Sequence, residues 1–526
     1  MIEKLKRISL LVVAAVWMVA CGGDKHANVV PVPAQASSVA VVKLKSLMGK
    51  ASYEQLSQLE GFRAWEEEMK NGGEDDQKIQ QLMTGVLKDP KSSGVNMEQD
   101  VYIYTLSLEK KERYMGISFG VSDPKNLKAS LEKTGMKFDT KKGYEVSLKD
   151  AGILLFNENR GLMLLASTVE AEAKLEDRAF DYIALKEEAS LGANEDFMAF
   201  VKEVQDMGLF ASLKSLTDGA GMTKTQLESF GMKEQDLASN TFRLFVDFKQ
   251  GELVFRLDRQ MNAGFMAGMK PIAGENLGAE VFKYLPAEHL IGFFGYSINF
   301  KNLFANADEA GKKVEMMKQQ LDMAKGAMAV AGLSPERLDE MLSGKLLLAI
   351  TDVRMVTRYN GTQRPDPIYL AALGVKDPKG LDALLEKLGV SLQKEGKIST
   401  LANSPLGALY FTYVDQYLLA SNERSLIEKI STGTPPAGQP LPQSLLKLAS
   451  APLCGYVNLS PDRLSENGKK WDDFGRFAQA AGIDHVALDN TGKQVELHIR
   501  FTDANTSSLI SLFKTADGLK RQQQPA

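Results

Sequence analysis

The sequence predicts an α+β protein of two homologous tandem lobes, each a largely antiparallel sheet with helices packed on one face. Two observations lead there. Gly120–Gly135 (GVSDPKNLKASLEKTG) and Gly374–Gly389 (GVKDPKGLDALLEKLG) agree at 11 of 16 positions at a constant offset of 254. Alternating runs also come in hairpin pairs, while helical periodicity comes in blocks, the pattern of an antiparallel sheet covered by helices. Internal repeats of this kind decide the architecture before local detail does.

The elements follow in order. Residues 1–20 read as a signal peptide: Lys4, Lys6 and Arg7 precede an apolar run from Ile8 to Ala20, too short for a comfortable membrane span. Met18-Val19-Ala20-Cys21 then resembles a bacterial lipobox, with Met18 in place of the usual Leu. That resemblance implies cleavage before Cys21, a diacylglyceryl thioether on its sulfur and acylation of the new amine, and several acyl chains anchor stably where one does not. Residues 21–30 form a tether. Residues 31–260 form the first lobe and 283–515 the second, with a Gly/Met-rich connector at 261–282 and a polar tail at 516–526. Within the connector, Met261, Phe265, Met266 and Met269 are expected to pack between the lobes.

In the repeated segment Asp123 and Asp377 stand as helix N-caps, Pro124 and Pro378 at the first helical position, and Gly135 and Gly389 at the left-handed end. Leu381, Leu384, Leu385 and Leu388 make a core-facing stripe. Leu164-Leu165-Ala166-Ser167 and Leu418-Leu419-Ala420-Ser421 match at the same offset. Each lobe closes with a hairpin, around Lys249-Gln250-Gly251 and around Asn490-Thr491-Gly492. Further helices are expected over Gly61–Leu87 and Ala305–Ala331. In the latter, Val314, Met317, Leu321, Ala324 and Met328 read as core packing.

Four features occur together: the lipobox, the tether, Val32-Pro33-Ala34-Gln35-Ala36 before an apolar strand, and Lys43-Leu44-Lys45-Ser46-Leu47. On these the chain resembles the uncharacterised lipoprotein family catalogued as domain of unknown function 4836, typical of Bacteroidota. Gln35 departs from the acidic residue expected there, while Glu288 holds the equivalent place in the second half. The family implies no activity and no site residues.

Composition removes several function classes. Basic and acidic residues number 63 and 67, so no basic excess points to nucleic acid. Loss of residues 1–20 moves the net charge from −4 to −6. Two cysteines exclude a disulfide scaffold and a Cys-based zinc site, and four histidines leave little for a His-rich one. Cys454 sits in an apolar run and reads as a buried strand residue. Gly116-Ile117-Ser118-Phe119-Gly120 matches G-x-S-x-G, but a nucleophile elbow needs a strand-to-helix turn and here the strand runs on to Val121. The repeat carries Ala372 at the position of Ser118, and His289, His485 and His498 have no supporting motif. Trp65 and Trp471 are too scattered for a sugar platform and read as packed in their lobes.

No catalytic, cofactor or metal-ligating residue is singled out, and Cys21, as the lipidation site, is the one functional residue named. The expected function is a lipid-anchored protein of the cell envelope, in the outer membrane, that binds or scaffolds an unknown protein or glycan partner without catalysis. The alternatives are a hydrolase using scattered carboxylates, or a carrier of apolar ligands with an enclosed cavity of several hundred cubic ångströms.

Overall fold

The computed structural model describes residues 30–108, 112–214, 217, 237, 240–260, 271–313, 315–330, 332–404, 407–433, 441–460, 466, 481–490 and 494–523. Cys21, Trp471 and Met261–Met269 lie outside the described residues. The chain divides into two compact units, one of residues 1–221, 238–260 and 504–526, the other of 222–237 and 261–503.

The first unit contains β1 (Ser38–Val42), β2 (Val101–Leu108), β3 (Glu112–Gly120), β4 (Asp139–Lys141), β5 (Tyr144–Lys149), β6 (Gly152–Phe156), β7 (Arg160–Ala166), β8 (Met207–Ser212), β9 (Thr241–Phe248) and β10 (Glu252–Gln260). They pair antiparallel throughout in the order β4-β5-β6-β7-β3-β2-β1-β8-β9-β10. Its helices include α1 (Leu44–Lys50), α2 (Tyr53–Leu56), α3 (Glu60–Asn71), α4 (Glu74–Lys88), α5 (Pro124–Glu132), α6 (Val169–Glu172), α7 (Leu175–Ile183) and α8 (Glu195–Glu203). The expected helix over Gly61–Leu87 is thus two helices, broken at Gly72-Gly73, where the Asp76 carboxylate accepts the Gly73 N–H.

The second unit contains β11 (Gly292–Ser297), β12 (Leu342–Thr357), β13 (Gln363–Val375), β14 (Gln393–Glu395), β15 (Ile398–Ser404), β16 (Gly407–Val414), β17 (Tyr417–Ser421), β18 (Leu453–Asn458), β19 (Ile483–Asn490) and β20 (Gln494–Phe501). Their order is β14-β15-β16-β17-β13-β12-β11-β18-β19-β20, again antiparallel throughout. Strand for strand this is the order of the first unit. Its helices include α9 (Phe300–Lys313), α10 (Glu315–Val330), α11 (Pro335–Met341), α12 (Pro378–Lys387), α13 (Arg424–Ser431) and α14 (Gln443–Leu448).

The repeated helices are α5 and α12. Asp123 accepts the Lys125 and Asn126 N–H groups, Asp377 accepts that of Gly380, and Gly135 and Gly389 follow at φ 87° and 74°. A carboxylate at this place satisfies orphan donors and faces the positive helix end.

Helices do not keep to one face of the sheet, which corrects the sequence expectation. On one face of the first sheet Val39, Tyr104 and Leu164 pack with Phe180 of α7 and Phe197 of α8. On the other, Ile117 and Phe119 pack with Leu44 of α1 and with Leu127 and Leu131 of α5. The physical reason is visible in β3, whose last five residues are all buried, so neither face is left to solvent there. In the second unit α13 and α14 join the core containing Leu419, while Leu385 of α12 stands over Leu418, on the opposite face.

Three further expectations change. The Leu-Leu-Ala-Ser match is a slip of three residues: Leu164 pairs with Gly116, but Leu370, 254 residues further on, pairs with Ser421. The cause is the length of the preceding hairpin: 12 positions separate Tyr144 from Phe156, whereas 15 separate their counterparts Ile398 and Tyr413, and the Phe156–Gly161 and Tyr413–Leu418 turns are equally long. Val314 and the Met317 side chain lie outside the described residues, and the rest of that apolar stripe, on α10, is not core. Leu321 and Met328 are half-buried, Ala324 is exposed and Val330 is 85 % exposed, because α10 packs along α9, where Lys325 pairs with Asp308. Connector residues Leu277, Val281 and Phe282 belong to the core of the second unit.

The second lobe also ends earlier than residue 515. Helix α15 (Ser508–Gln523) belongs to the first unit, where Ile510 packs with Ala51, Leu56, Leu59 and Leu87. Its apolar Leu509, Ile510 and Phe513 make a stripe, so residues 516–523 of the stretch read as a polar tail continue a docked helix.

Candidate functional site

Identical strand order allows equivalent positions to be compared, and three places differ in chemistry. The first is the closing hairpin. In β19–β20, Asp489 stands directly opposite Glu496, and His498 follows two residues on, on the same face. All three are half-buried, and one ligand atom of each lies within 4.8 Å of those of the other two. His498 Nε2 is 3.2 Å from Glu496 Oε2. Burial raises the Asp489 carboxyl above its ordinary range, the Glu496 charge raises it further, and His498 opposes both. In β9–β10 the same pair is Phe245 and Arg256, the guanidinium 3.9 Å above the ring, with Asp258 in the place of His498.

The second place is an open sheet face. Phe294, Leu348, Tyr369 and Val457 are 44, 47, 38 and 42 % exposed. Pairing makes them contiguous. Phe294 faces Leu348, and Gly292 lies between Val457 and Ile350, itself opposite Tyr369. The register puts Ala40, Ile103, Met115 and Ala211 at these positions in the first sheet, and the row of Gly292 and Ile350 becomes Ser38 and Thr105, hydrogen-bonded at 2.8 Å.

The third is a cavity of about 110 Å³ beneath α12, lined by Leu385, Val390, Leu392, Phe411, Tyr413 and Leu418 among others. In the first unit the matching space is filled by Phe138 against Phe156, at 5.4 Å between ring centres, together with Leu154 and Met163. The cavity falls short of the several hundred cubic ångströms a carrier needs. A second cavity, of about 460 Å³ and polar, lies between Gln55–Arg63 and α15.

The residues named from sequence take these places. Ser118 is mid-strand and 2 % exposed, and its hydroxyl donates to the Pro31 carbonyl at 2.8 Å. The two glycines of its motif answer packing needs: a Cβ on Gly116 would collide with the Tyr104 ring, and one on Gly120 with the Gln99 amide. Cys454 is fully buried in β18, and burial pushes its thiol up to about 12. His289 is half-buried, and His485 is held by Asp484 at 2.6 Å against the Tyr456 ring. Trp65 is half-buried against Phe62. In the opening pattern, Lys43 pairs with Asp100, Lys45 with Glu98, and Ser46 donates to the buried Asp206, which also holds Lys50 and accepts the Phe248 N–H.

The model of the family described as domain of unknown function (DUF4836) matches residues 26–437. The chain belongs to that family. No curated protein matches it. Among solved structures, "Structure of crystal form I of TP0453" is similar at 10% identity and TM-score 0.25, over 45% of this chain and 80% of that one. "Crystal Structure of Aspartate Kinase from Synechocystis" is similar at 11% identity and TM-score 0.09, over 75% of this chain and 51% of that one. At such scores neither likeness informs the fold or the chemistry of this DUF4836 chain.

Asp489, Glu496 and His498 form no linear pattern in the sequence. The expected turn at Asn490-Thr491-Gly492 would set Asp489 opposite residue 493, whereas Asn490 pairs with Val495 and brings Asp489 opposite Glu496.

Proposed function

We propose that this chain is a lipid-anchored, non-catalytic binding protein of the bacterial cell envelope, built from two copies of one α+β lobe. The anchor reading rests on Cys21 at the end of the apolar run; Gly22 rather than Asp follows it, which favours the outer membrane. The duplication reading is supported by the 11-of-16 match and by the shared strand order. The observation that carries binding is the open face of Phe294, Leu348, Tyr369 and Val457. Adjacent large apolar side chains left in water mark an interaction surface. Leu348 and Val457 stand among Phe294 and Tyr369, and such a mix of aliphatic and aromatic side chains suits a protein partner.

Two experiments test the reading. Cys21→Ala should move the protein from membranes to the soluble fraction, and its retention in detergent-washed membranes would reject the anchor. A photo-crosslinking residue at Leu348 should give a discrete protein adduct in the native envelope, abolished by Phe294→Asp and absent when the crosslinker sits at Thr105. No adduct at 348, or the same adduct at 105, would reject the binding face.

A further inference from the structure

We propose that the closing hairpin of the second unit binds one divalent transition-metal ion through Asp489, Glu496 and His498. Residues directly opposite on an antiparallel pair share a face, and like charges so placed repel. Asp489 and Glu496 are such a pair. His498 shares the strand and the face of Glu496, so three ligand-bearing side chains converge from two adjacent strands. Among the described residues no Lys or Arg pairs with Asp489 or Glu496; the ion-pair partner of Glu496 is His498 itself. A dication supplies the missing charge.

Comparison within the chain sharpens this. Phe245, Arg256 and Asp258 at the matching positions compensate one another: guanidinium over ring, and Arg256 Nε 3.6 Å from Asp258 Oδ1. The same hairpin architecture is therefore stable without facing carboxylates, and the Asp-Glu-His set is not a requirement of the fold.

Ligand chemistry narrows the ion. One imidazole with two carboxylates suits Zn²⁺, Co²⁺ or Mn²⁺ rather than the all-oxygen shells of Ca²⁺ and Mg²⁺. Bonds of about 2.0–2.2 Å need ligand atoms roughly 3–3.5 Å apart, which side-chain rotation from the present spacing achieves. On binding, the imidazole coordinates through Nε2 and each carboxylate through an oxygen, and any displaced proton leaves to solvent. Three protein ligands leave the other positions to water.

The test uses the full chain, stripped with chelator and titrated with Zn²⁺ or Co²⁺ by calorimetry and thermal unfolding. One ion per chain should bind and raise the unfolding midpoint, and Mg²⁺ should do neither. His498→Gln and Asp489→Asn should each weaken binding at least about tenfold. His485→Gln, which alters the neighbouring His–Asp pair, should leave it unchanged. Asp489→Asn removes a buried repulsion, so that variant should fold at least as stably as the metal-free parent, and loss of binding cannot then be ascribed to misfolding. Absence of saturable binding at about 1 mM Zn²⁺, or binding that survives His498→Gln but not His485→Gln, would overturn the proposal.

Discussion

The two sheets solve the same packing problem with exchanged volumes. In the first, Tyr104 on β2 faces Gly116 on β3; in the second, the same cross-strand pair is Ala349 and Leu370. Phe119 opposite Gly161 likewise becomes Leu373 opposite Leu418. Each ring in the first unit is admitted by a glycine whose Cβ would strike it. What is preserved is the filled space between strand and covering helix, not the residue at either position, in line with the tolerance of cores to volume-conserving exchange. Where exchange is incomplete, beneath α12, a cavity remains.

The largest expected effect is at that layer. Phe156 is fully buried and packs on Phe138, so Phe156→Ala should cost about 3–5 kcal/mol in urea denaturation. Its counterpart Tyr413 borders the cavity and is half-buried, so Tyr413→Ala should cost clearly less. Equal losses would break the contrast. Next, Gly116→Ala should cost about 1–3 kcal/mol by overpacking against Tyr104. Tyr104→Ala combined with Gly116→Leu, which installs the pair of the second sheet, should lose less than the two single changes summed. Strict additivity would mean that the exchange is not compensatory.

Acid should separate the units by charge. Glu112, 4 % exposed, is held below the usual carboxylate range chiefly by Lys174, with Arg178 at 3.2 Å. A depressed carboxylate contributes stability that is complete above its unfolded pKa, about 4.3, and is lost as pH falls through the folded value. Asp489 is raised instead, so its cost is present at neutral pH and disappears on protonation. Glu112→Gln should therefore flatten the acid limb of a stability–pH profile, and an unchanged limb would show that the Lys174 and Arg178 contacts contribute nothing. The smallest effect is Asp489→Asn, expected to add about 0.2–1 kcal/mol at pH 7 without metal by relieving Glu496. A loss of stability would mean that the carboxylate is compensated already.

Local chemistry made part of this legible. The caps at Asp123 and Asp377, the terminal glycines and both closing hairpins follow from residue types whose backbone preferences are strong. The doubly covered sheet was not, because β3 and β7 mix small and large side chains on both faces and the alternation loses its meaning. The three-residue slip arose from the longer β15–β16 hairpin, which four matching letters cannot reveal. Leu321, Ala324 and Met328 of α10 mislead for another reason: periodicity reports an apolar stripe but not whether anything lies against it. The hairpin cluster needed pairing register, and the open face needed the identity of four neighbouring strands.

Because α15 is a part of the first unit, that unit is discontinuous in time as well as in sequence. A ribosome releases residues 30–260 long before it releases Ser508–Gln523. Until then Ala51, Leu56, Leu59 and Leu87 lack the side chains that cover them in the finished molecule. Synthesis proceeds from the N-terminus, and domains ordinarily fold as they emerge, but this one is completed by its last residues. A premature stop anywhere in the second unit therefore damages both units. A single nick within residues 271–503 should conversely leave two fragments held together by α15, separable only in denaturant.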